Sequence, residues 1–216
     1  MSGAPRPLDS LLRRPYPCDH IIQVYSNDNV LIRALSRFVG GGLEQGEAAV
    51  VIAVPQHVSA LSRELTANGI RSKAEDGAFV AIDAERCLAG FMVDGMPDPI
   101  AFRSAMTAVL DRLRDAGYRK IRLFGEMVNL LWEENLEATL RLEDLWNGIV
   151  AEYQVCLLCA YRIDSTGADR KRGVLHLITR SHSHSFSEEH DALLAEAIND
   201  RPEGDLPPRG PRSQIR

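Results

Sequence analysis

Residues 20–55 read HIIQVYSNDNVLIRALSRFVGGGLEQGEAAVVIAVP, a strand, a helix and a second strand in succession. HIIQVY is rich in β-branched and aromatic residues, which fit a pleated surface. SNDN then supplies a turn and N-cap residues. Val30, Leu31, Ala34, Leu35, Phe38, Val39 and Leu43 recur at helical spacing and make one broad apolar face. Gly40, Gly41, Gly42 and Gly46 are read as weakening and ending that helix. AAVVIAVP is almost wholly apolar, as expected of a strand covered on both faces.

The same alternation continues outward. Pro55 opens a helix through about Asn68, with Val58, Leu61 and Leu65 inward and Gly69 as its stop. FVAID is a third strand, residues 84–99 are ambiguous, and GMPDP marks a loop. A helix over about 98–116 carries Ile100, Phe102, Met106, Val109, Leu110 and Leu113 inward. KIRLFGEM is a fourth strand. One long helix over about 130–153 carries Leu136, Leu140, Leu145, Trp146 and Ile149, and QVCLLCAY is a fifth strand. Strands alternating with amphipathic helices require right-handed crossovers. They predict an α/β fold with a mainly parallel sheet and helices on both faces. VLHLITR reads as strand or helix, and SFSEEHDALLAEAIND as a short capped helix. The expected organisation is a flexible Pro/Arg-rich leader over 1–18, one α/β domain over 19–200 and a disordered tail over 201–216.

Of the 216 residues, 45% are hydrophobic and 25% charged, ordinary values for a globular core. A net charge of -5 opposes non-specific attraction to nucleic acid or an anionic membrane. No apolar run reaches the roughly 20 residues that span a bilayer, so the expected location is the cytoplasm. The four cysteines are Cys18, Cys87, Cys156 and Cys159. The last two form a CxxC inside a strand, where residues three apart face opposite ways, so they cannot chelate one ion or pair easily. Small buried hydrophobes in a reducing compartment is the plainer reading.

Ligands of open parallel sheets bind at the carboxyl ends of the strands. A nucleotide triphosphatase would carry GxxxxGK[ST] after its first strand, with backbone N–H groups and a lysine on the phosphates. Here the junction is YSNDNVLIR, with no glycine, no lysine and a carboxylate, Asp28. Such a carboxylate repels phosphate and caps the helix instead. Glu126, after Gly125 at the end of the fourth strand, either contacts a ligand or acts as a base, or else caps the next helix or pairs with an arginine. His20 opens the first strand as ligand contact or structural residue. Tyr25 and Tyr161 close two strands and either line one pocket or pack. Glu143 lies one turn past Leu140, close to the apolar stripe. HSHSFSEEH, residues 182–190, invites a metal reading, but no carboxylate or cysteine stands at a defined helical spacing; a solvated His/Ser loop is the preferred reading, and no metal is assigned. No GxSxG, HExxH or GxGxxG motif is present, so no catalytic residue is assigned.

The ordered series HIIQVY, GLEQGEAAVVIA, FVAID, GEM followed by Trp132, LRLEDLWN and LCAY resembles the MEDS family, a sensory domain named for methanogens, methylotrophs and the dichloromethane-responsive repressor. GLEQGE leading into a strand is also similar to the KaiC and RecA-like ATPase core, so the resemblance implies a P-loop NTPase-like layout lacking the Walker A loop. It further implies a non-catalytic sensory or regulatory domain of prokaryotic signal transduction. Its ligand would be a small molecule such as a simple hydrocarbon derivative. The family's recurrent polar positions fall on His20, Tyr25, Glu126, Glu143 and Tyr161, and Trp132 joins them as a candidate ligand contact. The implied partner is a signalling protein such as a histidine kinase, an anti-sigma-type regulator or a transcription factor, with no cofactor, no direct nucleic acid and no membrane. A homodimer is left open. Two alternatives stay open: an adaptor that binds protein and no ligand, and an ATPase-like protein with residual nucleotide binding.

Overall fold

A computed structural model describes residues 8–70, 77–163, 178–179 and 182–186. In chain order they form α1 (Leu8–Arg13), β1 (His20–Tyr25), α2 (Asp28–Glu44), β2 (Ala48–Ala53), α3 (Pro55–Ala67), β3 (Phe79–Asp83), α4 (Ala84–Ala89), β4 (Met92–Val93), β5 (Met96–Pro97), α5 (Pro99–Asp115), β6 (Ile121–Gly125), α6 (Met127–Leu131), α7 (Leu136–Tyr153), β7 (Cys156–Arg162) and β8 (His184–Phe186). Six strands make one sheet in the order β3-β2-β6-β7-β1-β8, and every pairing in it is parallel. The expected tail, residues 201–216, and the SFSEEH helix lie outside the described residues.

Strand parity divides the core. Ile21, Tyr25, Ala49, Val51, Phe124 and Leu158 pack with α1, α2 and α3. Ile22, Val24, Val50, Ile52, Leu123, Leu157, Cys159 and Tyr161 pack with α4 to α7. On that second face Phe102 meets Phe91 and Trp146 edge-on, with centroids 5.2 and 5.0 Å apart. Each such pair contributes about 0.5–1.5 kcal/mol beyond its area burial. β2 is buried at all six positions, as its apolar run requires, whereas β3 at the sheet edge is half-buried. The chain runs outward from β2 to β3 and inward from β6 to β7, with α3 and α6 on opposite faces. The crevice between the ends of β2 and β6 is therefore a topological switch point.

Several expectations require correction. The glycines Gly40, Gly41 and Gly42 do not end α2; they are buried inside it, and the chain turns at Gly46 with φ +75. They are small because neighbours press on them. A Cβ on Gly42 would lie 2.7 Å from Nε of Arg122, and one on Gly41 3.1 Å from the backbone of Arg13. Arg122 is itself buried. It pairs with Glu47 at 2.6 Å and donates to the carbonyls of Leu12, Phe38 and Arg13, stitching α1 and α2 to β6. The leader consequently holds a helix, α1, with Leu11 and Leu12 fully buried.

The expected long helix over 130–153 is two helices. Asn135 divides them: its N–H donates to Leu131, its side chain accepts from the N–H of Ala138, and its amide donates to Gly95. In α7 the fully buried positions include Ala138, Leu142, Glu143 and Trp146, while Leu136, Leu140 and Leu145 flank them. Ile100, expected inward, is 79% exposed. The ambiguous segment forms a hairpin around Asp94 and Gly95, both at positive φ, a two-residue turn for which Asp-Gly is a favoured pair.

Candidate functional site

The candidate residues fall in two places: Glu126 and Tyr25 at the switch-point crevice, and His20, Glu143 and Tyr161 beneath the other face, where the ring of Trp132 also packs. His20 and Tyr25 are five apart on β1, and an odd separation on a strand turns side chains to opposite faces. Tyr25 and Tyr161 likewise lie in the two different core clusters and do not share a pocket.

The first place is the switch-point crevice. Glu126 follows β6, its N–H donating to the carbonyl of Ile52. Its carboxylate is 2% exposed, accepts the N–H of Val54 at 3.1 Å and lies 2.8 Å from Nδ1 of His57. The partner is thus a histidine and a helix N-terminus, not an arginine. Val54 offers no side-chain cap to α3, so Glu126 takes that role from across the crevice. The Glu126 hydrogen bond holds the His57 pKa above its usual value against burial. Nε2 of His57 lies 3.7 Å from Asp28, which also pairs with Arg162 at 3.3 Å. Asp28 therefore faces these two groups, and the helix cap is the neighbouring Asn27, which accepts the N–H of Asn29. Tyr25, buried beside them, has its pKa pushed well up by burial and by the charges of Glu126 and Asp28.

Adjacent to this polar chain is a cavity of about 350 Å³ lined by Asn129, Leu130, Trp132, Glu133, Glu134 and Arg162. Its size falls within the usual range for small-molecule pockets, roughly 300–1,000 Å³. Asn129 accepts the N–H of Arg162 at 2.7 Å, so α6 and the end of β7 hold the rim together. Trp132 lines this cavity and meets the ring of Tyr161 edge-on, centroids 5.9 Å apart.

The second place lies beneath the other face. Glu143 on α7 is fully buried among His20, Cys159, Tyr161 and His182. The hydroxyl of Tyr161 donates to its Oε1. Its Oε2 lies 3.3 Å from Nε2 of His20, 3.5 Å from Nε2 of His182 and 3.9 Å from Sγ of Cys159. Burial pushes the Glu143 carboxyl up to about 8 and pulls His20 down to about 4. Burial thus disfavours the charged form of both partners and works against an ion pair between His20 and Glu143. The thiol of Cys159 and the hydroxyl of Tyr161 are both pushed up, by burial first and then by Glu143.

Cys156 packs toward α1 and α2 and Cys159 toward α7, on opposite faces as their spacing on a strand requires. His57, Arg162, Asn147 and Cys159 carried no functional reading in the sequence. Asn147 had a signal, since Thr139, Glu143 and Asn147 recur every four residues beside the apolar stripe of α7. His57 had none, because only the crossover brings α3 to the end of β6. The histidine string is divided: His182 is buried, and His184 opens β8.

Among the described residues no helix is long and apolar enough to cross a membrane. A comparison with the curated proteins finds no match. The model of the sensory-domain family described as MEthanogen/methylotroph, DcmR Sensory domain matches residues 19–182. That span holds β1 to β7, the switch-point crevice and all four buried polar residues around Tyr161, and the chain belongs to the MEDS family of sensory domains.

Proposed function

We propose that this domain is a non-catalytic sensor that receives a small ligand at the strand ends and relays its presence to a partner protein. The observation that carries this reading is the cavity beside the switch point, where Trp132 offers an apolar wall and Asn129 and Arg162 offer polar contacts. Leu130 and Trp132 would meet the apolar part of a small hydrocarbon derivative, and Asn129, Glu133, Glu134 and Arg162 a polar substituent on it. Occupancy would press on Trp132, and through its ring on Tyr161 and Glu143, giving a route from the rim to the buried face. The receiver of the signal is a signalling protein such as a histidine kinase, an anti-sigma-type regulator or a transcription factor.

The same reading takes the layout as a RecA- or KaiC-like nucleotide-binding frame turned to another ligand. In its support, β1 leads through Asn27 and Asp28 into α2 where a phosphate loop would stand, and Asp28 is engaged with Arg162 and His57. An anion there would meet a carboxylate on its approach.

A thermal-shift screen of small alcohols, halocarbons, one-carbon compounds and magnesium nucleotides tests both parts. The expected outcome is stabilisation by an uncharged small compound, a change in tryptophan fluorescence, and loss of both in Trp132→Ala. A screen in which nothing stabilises the protein overturns the ligand reading and favours an adaptor. Calorimetric binding of magnesium ATP that depends on Glu126 favours the ATPase-like alternative.

A further inference from the structure

We propose that His20, Glu143, Cys159 and His182 form a closed, four-coordinate site for a zinc-class divalent transition metal. The candidate ligand atoms of these residues all lie within 4.8 Å of one another. The distances given to individual pairs are 3.3 Å for His20 Nε2 to Cys159 Sγ, 3.3 Å for His20 Nε2 to Glu143 Oε2, 3.5 Å for His182 Nε2 to Glu143 Oε2, and 3.9 Å for Cys159 Sγ to Glu143 Oε2. Zinc bonds of about 2.0–2.3 Å to nitrogen, oxygen and sulfur give a tetrahedron with edges of about 3.3–3.6 Å. The donors thus stand close to the corners of such a tetrahedron before any adjustment.

The outer contacts orient the donors. Nδ1 of His182 lies 2.8 Å from the carbonyl of Ile178, which can only accept, so Nδ1 carries the proton and Nε2 presents a lone pair to Glu143. Nδ1 of His20 lies 2.8 Å from Oδ1 of Asn147, which fixes the same tautomer and aims Nε2 at Cys159 and Glu143. Tyr161 holds the other oxygen of Glu143. Imidazoles and a carboxylate held this way from behind are the usual second layer of a metal site. Two imidazole nitrogens, a carboxyl oxygen and a thiol sulfur converge here, four donor atoms of the kinds that a transition-metal cation draws together.

Charge balance supports a divalent ion. The thiolate of Cys159 and the carboxylate of Glu143 set two negative charges against the two positive charges of M²⁺, and any protons these groups held leave to solvent as the ion enters. The thiolate, the carboxylate and the two neutral imidazoles then form an uncharged complex, the least costly form in an interior of low dielectric. A mixed N, O and S set at tetrahedral spacing suits zinc or cobalt(II) and does not suit magnesium or calcium, which take oxygen ligands. All four residues are buried, so the centre has no coordination position open to solvent. It would pin the His182 segment to β1 and α7, reinforcing the pairing of Ser183 with His20.

The site lies on the opposite face from Glu126 and stands independently of the cavity reading. The test uses the full chain, stripped of metal and titrated with cobalt(II), then with zinc. The expected result is one cobalt per chain, with intense tetrahedral d–d bands and a thiolate-to-cobalt charge-transfer band, both erased by zinc. The bands should persist in a triple variant, Cys18→Ser, Cys87→Ser and Cys156→Ser, whose only cysteine is Cys159. They should lose the thiolate component in Cys159→Ala, a small-for-small change that leaves the fold least disturbed. The proposal is overturned if the folded stripped protein takes up neither metal. It is equally overturned if the charge-transfer band survives Cys159→Ala, or if it is absent from the triple variant while that variant is folded.

Discussion

Replacing Glu126 by glutamine isolates the charge at the switch point. The substitution is isosteric: the amide oxygen can still accept the N–H of Val54, and the amide nitrogen can donate to Nδ1 of a neutral His57. What disappears is the charge-assisted part of the His57 contact. A hydrogen bond to a charged group is worth about 1.5–3 kcal/mol and a neutral one about 0.5–1.5 kcal/mol, so the part lost is about 1–1.5 kcal/mol. For a chain of this size that corresponds to roughly 2–6 °C in Tm. The effect depends on pH in a fixed sense. The folded pKa of His57 is raised, chiefly by the Glu126 hydrogen bond, with Asp28 adding to it and burial opposing. The folded state therefore binds the proton more tightly than the unfolded state, whose His57 titrates near 6.5. The stabilisation is fully present below about pH 6.5 and is lost as pH rises through the folded value. Urea denaturation of the wild type and Glu126→Gln, from about pH 5 to about pH 9, should show a gap that is widest at the acid end and narrows upward. Histidine NMR should show His57 titrating lower in the variant. A gap that is flat across this range, or a His57 titration unmoved by the substitution, would refute the assignment of the charge to this pair.

Three further outcomes follow from the packing. Gly42→Ala should destabilise by about 1–3 kcal/mol, because the new methyl meets Arg122, which its four partners hold in place. Gly148→Ala on the open side of α7, with nothing within 4 Å of the new Cβ, should instead stabilise by about 0.8–1 kcal/mol; calorimetric melting of the pair checks both signs. Arg122→Met should cost about 3–5 kcal/mol by leaving Glu47 and three carbonyls without their donor, and limited proteolysis should then release α1 first.

The alternation of strands and helices was legible in residues 20–161 because burial imposes different periods on the two elements. The all-apolar run of β2 and the helical stripe of α2 state their surroundings directly. The opposite orientations of Cys156 and Cys159 were legible for the same reason, and parity on β1 could equally have separated His20 from Tyr25. The glycines of α2 misled because the usual meaning of glycine is a local backbone need. Here the need is space, set for Gly42 by Arg122 from a strand about 80 positions on, for Gly41 by the backbone of Arg13 and for Gly40 by Ile70. The break between α6 and α7 was missed because the apolar stripe continues past it, although Asn135 is an N-cap residue type; it accepts the N–H of Ala138 and reaches to Gly95.

The sequence by itself determined the α/β class, most of the elements, the absence of a phosphate loop after β1, and the placing of Glu126 at a strand end and of Glu143 beside an apolar stripe. Each of these depends on residue type and spacing within a few turns of chain. Only the tertiary structure decided the partners: His57 with Glu126, Arg162 with Asp28, and His20 with Glu143, Cys159 and His182. Those contacts join residues carried by different elements, between 16 and 162 positions apart, and they arise from strand order and crossover. A sequence period reports which way a side chain faces along its own element. What it meets there is set by the element packed opposite, and that is a property of the whole fold.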